Sequence, residues 1–342
     1  MAITAGSEIL ASDFVSTSAG AGDSGKVPKL DSSGRLDLTF FPPIKFGGNG
    51  ADGALSFSSG NTNIDCGGAR ILVKNYTSIS ITGTGSITFT NPHANGTVVI
   101  LRSQGNVTLT SSAAPMIDAR SCGGTGGTGG TGTSTNHGTA GNDGSTLLYL
   151  RSRGGGTGDN GSNGGPALTS SIAASILDIL LLRYHFIAPG SGGGGGSYAT
   201  GSASSGTAGN GGRGAGSLII ECGGAWNFTT SGGISVAGAN GTNGSVPSGG
   251  GCARGGGGGS GGMVLVLYNT LTANSGTVTT TAGTGGNNNS TNYNDSTAVW
   301  GGGGGGLMVA GSNGTQPASS GSKSGGDGAV GYSLITLNSA FP

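Results

Sequence analysis

The chain carries little charge and few aromatic side chains. Only 8% of its 342 residues are charged, and fourteen basic and fourteen acidic side chains give a net charge of zero. Nucleic-acid binding needs a clustered basic face, which this composition does not supply. Typical disorder is also disfavoured, because it pairs low hydrophobicity with a high net charge. We therefore expect a surface made mainly of Ser, Thr, Asn and Gly.

Long apolar runs are missing as well. No stretch reaches the ~18 uninterrupted apolar residues of a membrane-spanning helix. The nearest, 172–187, is broken by Asp178, Arg183 and His185. The first residues, MAITAGSEILASDF, have neither a basic region nor a long apolar core, so we expect no secretory signal. These features predict synthesis in a cytoplasm without membrane insertion.

Acidic residues suited to catalysis are few. The chain has two glutamates, one of them in the first 46 residues. Asp118 and Glu221 occupy comparable positions in the strand pattern and could form the carboxylate pair of a glycan-cleaving enzyme. The neighbouring Arg120 and Arg102 instead favour structural ion pairs. We therefore predict that the protein is not an enzyme and uses no cofactor.

Metal-binding and nucleophile motifs are equally weak. The three histidines have no motif that links them to a nucleophile, and the clusters 287–289 and 292–295 lack the regular Asp spacing of calcium repeats. The cysteines match no zinc pattern. They are either buried thiols or one or two disulfides formed after release from the cell: Cys66, Cys122, Cys222 and Cys252. We predict no metal site.

Glycine is what the chain has in excess. It supplies 80 of 342 residues, about three times the roughly 7% of average usage. The glycines cluster in runs such as 123–132, 192–196, 255–262 and 301–306. Gly-rich chains often act as flexible linkers. Here apolar β-like segments such as VVIL, SLII and MVLVL stand between the runs, which favours a folded scaffold.

A degenerate repeat of three short strands recurs along the chain. Alternation with a period of two in the second and third strands of each copy indicates one buried face. The pattern predicts an all-β or irregular fold of stacked strands, with β-helix- or sandwich-like repeats. The four copies are 71–73, 78–81 and 86–89; 98–101, 106–109 and 116–119; 218–220, 226–229 and 234–237; and 264–267, 271–273 and 277–281.

The Gly-rich runs are insertions into this repeat, at roughly 122–146, 189–216, 240–262 and 283–328. They are either disordered loops or polyglycine II-type helices with three residues per turn. The three-residue period of GGTGGTGGTG favours ordered, packed helices. One further segment, Leu168–Phe186, fits an amphipathic helix or another strand copy.

Three aromatic residues stand apart from the strand repeats. Tyr198, Tyr293 and Trp300 lie in or beside Gly-rich insertions, where no core requires them. Exposed Tyr and Trp are enriched at binding hot spots, and loops on a rigid scaffold commonly carry recognition. We predict that they contact a receptor; alternatively, they cover the end of the glycine bundle.

Residues 1–46 differ from residues 47–342. They hold five of the fourteen acidic residues and few glycines, and contain short extended units separated by a Ser-Ser-Gly turn. So short a segment cannot bury enough surface to fold alone. We therefore predict an attachment and oligomerisation segment that orders against other chains. Its candidate contact residues are Lys26, Val27, Pro28, Leu30, Leu36, Phe40 and Phe41.

The run GKVPKLDSSGRLDLTFFP, residues 25–42, resembles an N-terminal module of tailed-phage virion fibre proteins. The glycine-rich body is similar to the polyglycine-helix adhesins at the tips of T-even-type long tail fibres, although its strand repeats depart from them. The resemblance implies a virion protein that attaches by its N-terminus and recognises a bacterial surface receptor, a protein or glycan. It implies a homo-oligomer, with a trimer expected. The alternative is a structural or decoration protein of the virion, such as a head fibre, without its own receptor.

Overall fold

A computed structural model describes residues 14–15, 26–29, 46–132, 144–145, 151–152, 187–196, 198–199, 206–229, 232–245, 251–287, 289–291, 311 and 325–337. The chain divides into two compact units, Met1–Lys45 and Phe46–Pro342. The boundary predicted from composition lies one residue further along. The proposed amphipathic segment Leu168–Phe186 lies outside the described residues.

The first unit contributes two short strands. β1 (Phe14–Val15) runs parallel to β2 (Val27–Pro28), with Phe14 opposite Val27. The Lys29 N–H extends this pairing by donating to the Val15 carbonyl at 2.8 Å. Phe14 is 40% exposed and Val27 is 39% exposed. The described part of this unit therefore leaves apolar side chains accessible.

All remaining described strands belong to the second unit. The first eight are β3 (Ala54–Phe57), β4 (Asn61–Asp65), β5 (Ile71–Tyr76), β6 (Ser78–Ile81), β7 (Ser86–Thr90), β8 (Val98–Ser103), β9 (Val107–Leu109) and β10 (Ile117–Asp118). A single 3-10 turn, Arg120–Cys122, follows β10. The next six are β11 (Thr131–Gly132), β12 (Gly144–Ser145), β13 (Arg151–Ser152), β14 (Tyr198–Ala199), β15 (Gly206–Thr207) and β16 (Ser217–Phe228). The last six are β17 (Ile234–Ser235), β18 (Gly251–Ala253), β19 (Met263–Asn274), β20 (Val278–Thr279), β21 (Asn289–Thr291) and β22 (Tyr332–Leu337).

Parallel pairing stacks most of these strands into coils with three faces, which we call the solenoid. The first face is β5, β8, the first half of β16, the first half of β19 and β22. The second face is β3, β6, β9 and the second halves of β16 and β19. The third face is β4, β7, β10, β17 and β20. The predicted all-β class of stacked short strands is confirmed, and the parallel register is that of a β-helix-like stack.

The predicted repeat copies coincide with the coils that begin at β5, β8, β16 and β19. The prediction missed β3 and β4 before the first copy and β22 after the last. It was also wrong in giving the third and fourth copies separate first and second strands, since β16 and β19 are continuous. The β16–β19 register shifts between Cys222 and Ala225. Gly223 and Gly224 lie there, so the chain bulges instead of turning.

The solenoid interior holds the main hydrophobic core. Inward residues alternate along the second and third faces, as in Ile79 and Ile81 of β6 and Trp226 and Phe228 of β16. The Trp226 and Phe228 rings meet edge to face, with centroids 5.8 Å apart. This alternation places one side of each strand in the core and leaves the other to small polar residues.

The central strands of the first face, β8 and the first halves of β16 and β19, are buried on both sides. Val99, Leu101 and Leu218 point into the main core, while a second cluster on the outer side contains Val98, Ile100, Ile187, Ile219, Met263, Leu265 and Leu267. Strands covered on both faces are expected to be continuously apolar. This explains why VVIL, SLII and MVLVL lack alternation.

The Gly-rich insertions form ordered runs hydrogen bonded side by side. Within the described residues there are seven, here called run 1 (123–130), run 2 (190–196), run 3 (208–216), run 4 (238–244), run 5 (254–262), run 6 (281–287) and run 7 (325–331). Runs 1, 4 and 6 follow third-face strands, and runs 3, 5 and 7 lead into first-face strands. Disordered insertions are therefore excluded for these residues.

Run 5 shows how the runs are joined. Its successive N–H groups donate to three different neighbours in rotation, with a period of three residues. Gly256 and Gly259 donate to run 4, and Gly262 donates to Val236 just ahead of that run; Gly257 and Ser260 donate to run 2; Gly258 and Gly261 donate to run 7. These bonds measure 2.8 to 3.1 Å. A repeat of three residues is that of the polyproline II family, so a polyglycine II-type helix stays the prediction for these runs.

The runs continue the hydrogen-bond ladder of the solenoid. Between one coil and the next, the N–H groups of Ile234, Val236 and Gly238 donate with the two-residue period of a strand. From Gly238 onward the donors are Gly241 and Gly244, with a three-residue period. Each of these N–H groups donates to the carbonyl of the residue 43 positions later in the chain. The acceptors are Thr277, Thr279, Thr281, Thr284 and Asn287. The strand register therefore sets the register of the runs.

Close backbone approach requires glycine at the inward positions. A Cβ atom on Gly256 or Gly259 would overlap the carbonyl oxygen of Asn210 or Arg213 in run 3. In run 1 every third residue is threonine, and Thr128 is exposed. Thr281 and Thr284, three residues apart in run 6, are exposed as well. The GGT repeat of run 1 therefore places two glycines toward neighbouring runs and one threonine toward solvent.

Amide and carboxylate side chains satisfy N–H groups at the edges of the lattice. Asn240 Oδ1 accepts from the N–H of Thr284 at 2.9 Å, and Asn243 Oδ1 accepts from that of Asn287 at 2.7 Å. In the same way, Asn210 Oδ1 accepts from the Gly129 N–H, and Asp327 Oδ1 accepts from the Gly285 N–H. Buried or edge N–H groups without a partner are costly. The abundance of Asn at these positions has this structural cause.

We predict that Gly283→Ala destabilises the fold strongly while Thr284→Ala does not. A methyl group on Gly283 would overlap the Ala239 carbonyl, and overpacking of this kind costs ~1–3 kcal/mol or more. Thr284 lies next to it in run 6 but is exposed, so its truncation should change stability by only about 0.5 kcal/mol. Thermal melts of both variants measure the difference. Equal melting temperatures would contradict close packing of the runs.

Candidate functional site at the far end of the glycine runs

The insertions share one route away from the solenoid. Runs 1, 4 and 6 leave after β10, β17 and β20, which are neighbours on the third face. Runs 3, 5 and 7 return to β16, β19 and β22 on the first face. Ile187, three residues before run 2, packs in the outer cluster of the first face. An extended run of seven residues spans roughly 20 Å, so the far ends lie well away from the core.

Short antiparallel strands connect the far ends of the runs. β11 pairs with β15, and Thr207 of β15 also bridges to Ser245 at the end of run 4. β18 pairs with β14 on one side and with β21 on the other. We call this assembly the tip, with residues 131–132, 198–199, 206–207, 245, 251–253 and 289–291.

The two small sheets of the tip are in contact. Ala208, next to β15, and Ala253 of β18 pack together as a small buried cluster. Gly209 N–H donates to the Arg254 carbonyl at 2.7 Å directly beneath this cluster. Small side chains therefore allow two sheets and six runs to converge. The connecting segments 133–143, 200–205, 246–250 and 292–310 join the chain at or next to tip residues.

One of the three predicted receptor-contact residues lies in the tip. Tyr198 is the first residue of β14 and stands opposite Ala253 in β18. Tyr293 and Trp300 lie outside the described residues. The last residue of β21, Thr291, is opposite Gly251 and precedes Tyr293 by two positions. The sequence placed these aromatics near glycine runs, but only the pairing of β14, β18 and β21 brings Tyr198 into one sheet with the strand that precedes Tyr293 in the chain.

The attachment residues fall in the first unit. Val27 and Pro28 form β2, and Lys26 precedes it. The side chains of Lys26, Val27 and Pro28 are exposed in this unit. The other predicted contact residues lie outside the described residues: Leu30, Leu36, Phe40 and Phe41.

The two predicted ion pairs are present. Arg120 binds Asp118 with two contacts, Nε to Oδ1 at 2.9 Å and Nη2 to Oδ2 at 2.7 Å. Arg102 Nε donates to Glu221 Oε1 at 3.2 Å, and the Gly47 N–H donates to Glu221 Oε2 at 3.1 Å. Each carboxylate is thus engaged by its own arginine. The two acids do not form a catalytic pair with each other.

Burial sets the electrostatics of the second ion pair. Glu221 is only 3% exposed. Loss of hydration raises the pKa of its carboxyl group, although Arg102 and the Gly47 N–H act to lower it. Arg102 is more exposed, with 30% of its side chain accessible. The pair therefore ties β8 to β16 at a cost in desolvation.

The described cysteines are buried thiols. Cys66, Cys122 and Cys222 are free, and Cys66 and Cys122 belong to the same core cluster. The Cys66 thiol and burial raise the pKa of Cys122 far above its usual value. Low reactivity of Cys122 follows, because the thiolate is the reactive form. The hydrogen bond with Cys122 lowers the pKa of the Cys66 thiol. For these three residues the structure supports the buried-thiol alternative over disulfides.

His93 has a structural role in a turn. Its Nδ1 accepts from the Asn95 N–H at 2.9 Å, and its own N–H donates to Thr97 Oγ1 at 3.0 Å. His93 is half-buried. Burial and nearby Arg70 lower the pKa of its imidazole. His137 and His185 lie outside the described residues.

Comparison of the chain with family models, with curated proteins and with solved structures gives no match. In the part of the chain that the structure describes, no group of three His, Cys, Asp or Glu side chains could hold a metal ion. No helix among the described residues is long and apolar enough to cross a membrane. The geometry of the tip and the N-terminal motif are what indicate a function.

We predict that Glu221→Gln removes one source of pH dependence from the stability of the fold. The unfolded pKa of Glu is about 4.3, and the folded value is higher. The folded state therefore holds the proton more tightly, and the Glu221 contribution to stability falls as pH rises from the unfolded to the folded pKa. Gln keeps an acceptor for the Gly47 N–H but does not titrate. The melting temperature of the variant, relative to that of the unmodified protein, should therefore rise as the pH increases from about 3. Parallel curves of melting temperature against pH for the two proteins would contradict this.

Proposed function

We propose that this protein is a bacteriophage virion fibre protein that attaches through residues 1–46 and recognises the host surface through its tip. The observation that carries the proposal is the convergence of the glycine runs on one set of short strands. Run 5 alone is bonded in three directions to runs 2, 4 and 7. Runs 1 to 7, which we call the stem, would hold the segments at their far end in fixed positions. Binding residues are commonly carried by loops on a rigid scaffold.

The stem suits a particle that meets the outside of a cell. Its exposed positions are threonine and asparagine, such as Thr128, Thr284 and Asn240, and few are charged. Its edge N–H groups are already bonded to Asn and Asp side chains. Unpaired backbone edges promote aggregation, so these side chains support solubility without charge. The proposal is one of binding, with no catalytic step.

The N-terminal segment supplies the other half of the proposal. β1 and β2 pair over two residues each, and Phe14 and Val27 keep two fifths of their surface exposed. Apolar side chains on so short a segment favour burial against partner chains. The partners we propose are other virion proteins and further copies of this chain, with a homotrimer expected. The resulting location is the virion.

We predict that Val27→Asp prevents incorporation into particles while Val330→Asp does not. A charge at Val27 would have to be buried against the partner chain, which costs free energy. Val330 is a matched control, since it is 55% exposed and lies in the second unit. Particles assembled with each variant are purified and the protein is quantified by immunoblot. Normal incorporation of the Val27 variant would contradict the attachment role.

We also predict that Tyr293→Ala and Trp300→Ala each weaken adsorption to host cells at least tenfold. Truncating an aromatic hot-spot residue often costs ~2 kcal/mol or more of binding free energy. Tyr198→Ala extends the test to the strand where the structure describes the backbone. Tyr332→Ala is the control, because Tyr332 is 43% exposed and lies on the solenoid in β22. Labelled full-length protein is titrated onto bacterial strains that include a host infected by the particle.

Melting temperatures separate the outcomes. If the tip variants lose adsorption and stability together, the aromatics cover the end of the glycine bundle and do not form a receptor site. If the unmodified protein adsorbs to none of the strains, the protein has no receptor of its own. That result would favour the alternative, a structural or decoration protein of the virion.

A further inference from the structure

A groove lies where the third face of the solenoid meets the bases of runs 3 and 4. It has a volume of about 470 Å³. Its walls come from three parts of the chain: the end of β10 with the 3-10 turn, the start of run 4, and run 3. The lining residues are Asp118, Arg120, Ser121, Arg213, Ala237, Gly238, Ala239 and Asn240. The groove is therefore separate from the tip.

The acceptor atoms of this groove are already used within the protein. Asp118 Oδ1 accepts from both the backbone N–H and Nε of Arg120, at 3.0 and 2.9 Å, and Oδ2 accepts from Nη2 at 2.7 Å. Asn240 Oδ1 accepts from the Thr284 N–H at 2.9 Å. The Asn240 amide nitrogen is thereby left as the donor end of that side chain.

Arg213 supplies a positive charge that the groove does not neutralise. Its Nε donates to the Gly123 carbonyl at 3.1 Å, which fixes the guanidinium against run 1. Among the described residues Arg213 forms no ion pair with an acid, whereas Asp118 is committed to Arg120. Burial lowers the pKa of Arg213, because half-burial removes water from the charged form. An anion bound here would replace the interactions with water that the Arg213 guanidinium loses on burial.

The remaining polar groups are mostly donors around one cation. They are the terminal amino groups of Arg213, the amide nitrogen of Asn240 and the hydroxyl of Ser121. The Arg120 Nη1 group, which does not contact Asp118, lies at the edge of the groove. Guanidinium groups bind carboxylates and phosphates through two parallel hydrogen bonds. We propose that this groove binds one anionic group, a carboxylate or a phosphate, of a small molecule. The site does not rest on the proposed function, since neither the tip nor the N-terminal segment contributes to it.

The test uses the full-length protein and ligand-observed NMR titrations at constant ionic strength. The probes are galacturonate, galactose 6-phosphate and neutral galactose, which separate a carboxylate from a phosphate and both from the sugar alone. We expect at least one acidic sugar to bind and galactose not to bind. Which acidic sugar binds more tightly identifies the source of the anion. Equal binding of galactose, or no binding of either acid, overturns the proposal.

Two variants and one control locate the site. Arg213→Gln removes the charge, and hydrogen bonds to charged groups are strong enough that affinity should fall roughly tenfold or more. Asn240→Asp keeps the acceptor for Thr284 but puts a negative charge in the groove, so it should abolish binding even if the Arg213 variant folds poorly. Arg70→Gln makes the same charge change away from the groove and should leave the affinity unchanged. Unaltered affinity in Asn240→Asp, or an equal loss in Arg70→Gln, overturns the proposal.

Discussion

Hydrogen bonds between the backbones of neighbouring glycine runs, repeated at every third residue, are the constraint on which this structure depends. Each bond adds about 0.5–1.5 kcal/mol net, and ordering each glycine costs roughly 0.5–1 kcal/mol more than ordering alanine. These quantities nearly cancel, so a single run has little stability of its own. Run 5 is stable because runs 2, 4 and 7 surround it. Any side chain that separates two runs removes several bonds at once.

The solenoid supplies the stability and the alignment that the runs lack. Trp226, Phe228 and the isoleucines of β6 are buried in its interior, which is the main apolar burial of the second unit. Its parallel register then passes directly into the runs, as the unchanged offset from Ile234 to Gly244 shows. Each insertion is tethered at both ends to adjacent coils. Tethering reduces the entropy lost when the runs come together.

The second unit therefore has three different surfaces: the stem, the tip and the groove at the base of the runs. The stem exposes threonine and asparagine, whose side chains also satisfy the lattice edges, as Asn240 and Asn243 do. The tip presents chain segments that the runs have carried away from the core. At the base, Arg213 remains a half-buried cation beside the Asp118–Arg120 pair. The tip and the groove thus differ in structure: short antiparallel strands form the tip, and hydrogen-bond donors line the groove.

Much of this architecture follows from local sequence patterns. The alternation in SISI and SITFT, the apolar VVIL and MVLVL, and the three-residue period of GGT each report a repeat that the backbone adopts locally. The Asp118–Arg120 pair was also predictable, because its partners are two residues apart. The Arg102–Glu221 pair was inferred from comparable strand positions. The continuity of β16 through Gly223 was not, since glycines permit a bulge as readily as a turn.

Other features depend on contacts between residues distant in the chain, which no local pattern contains. β22 could be recognised only through its pairing with β19, and the meeting of β14, β18 and β21 places Tyr198 in the tip. The groove joins Asp118 of β10 with Arg213 of run 3 and Asn240 of run 4. The sequence alone determined the strands of the four repeat copies and the glycine runs, because those are properties of short repeats. Only the tertiary structure decided which runs are neighbours, because hydrogen bonds between glycine backbones carry no side-chain signal of their partners.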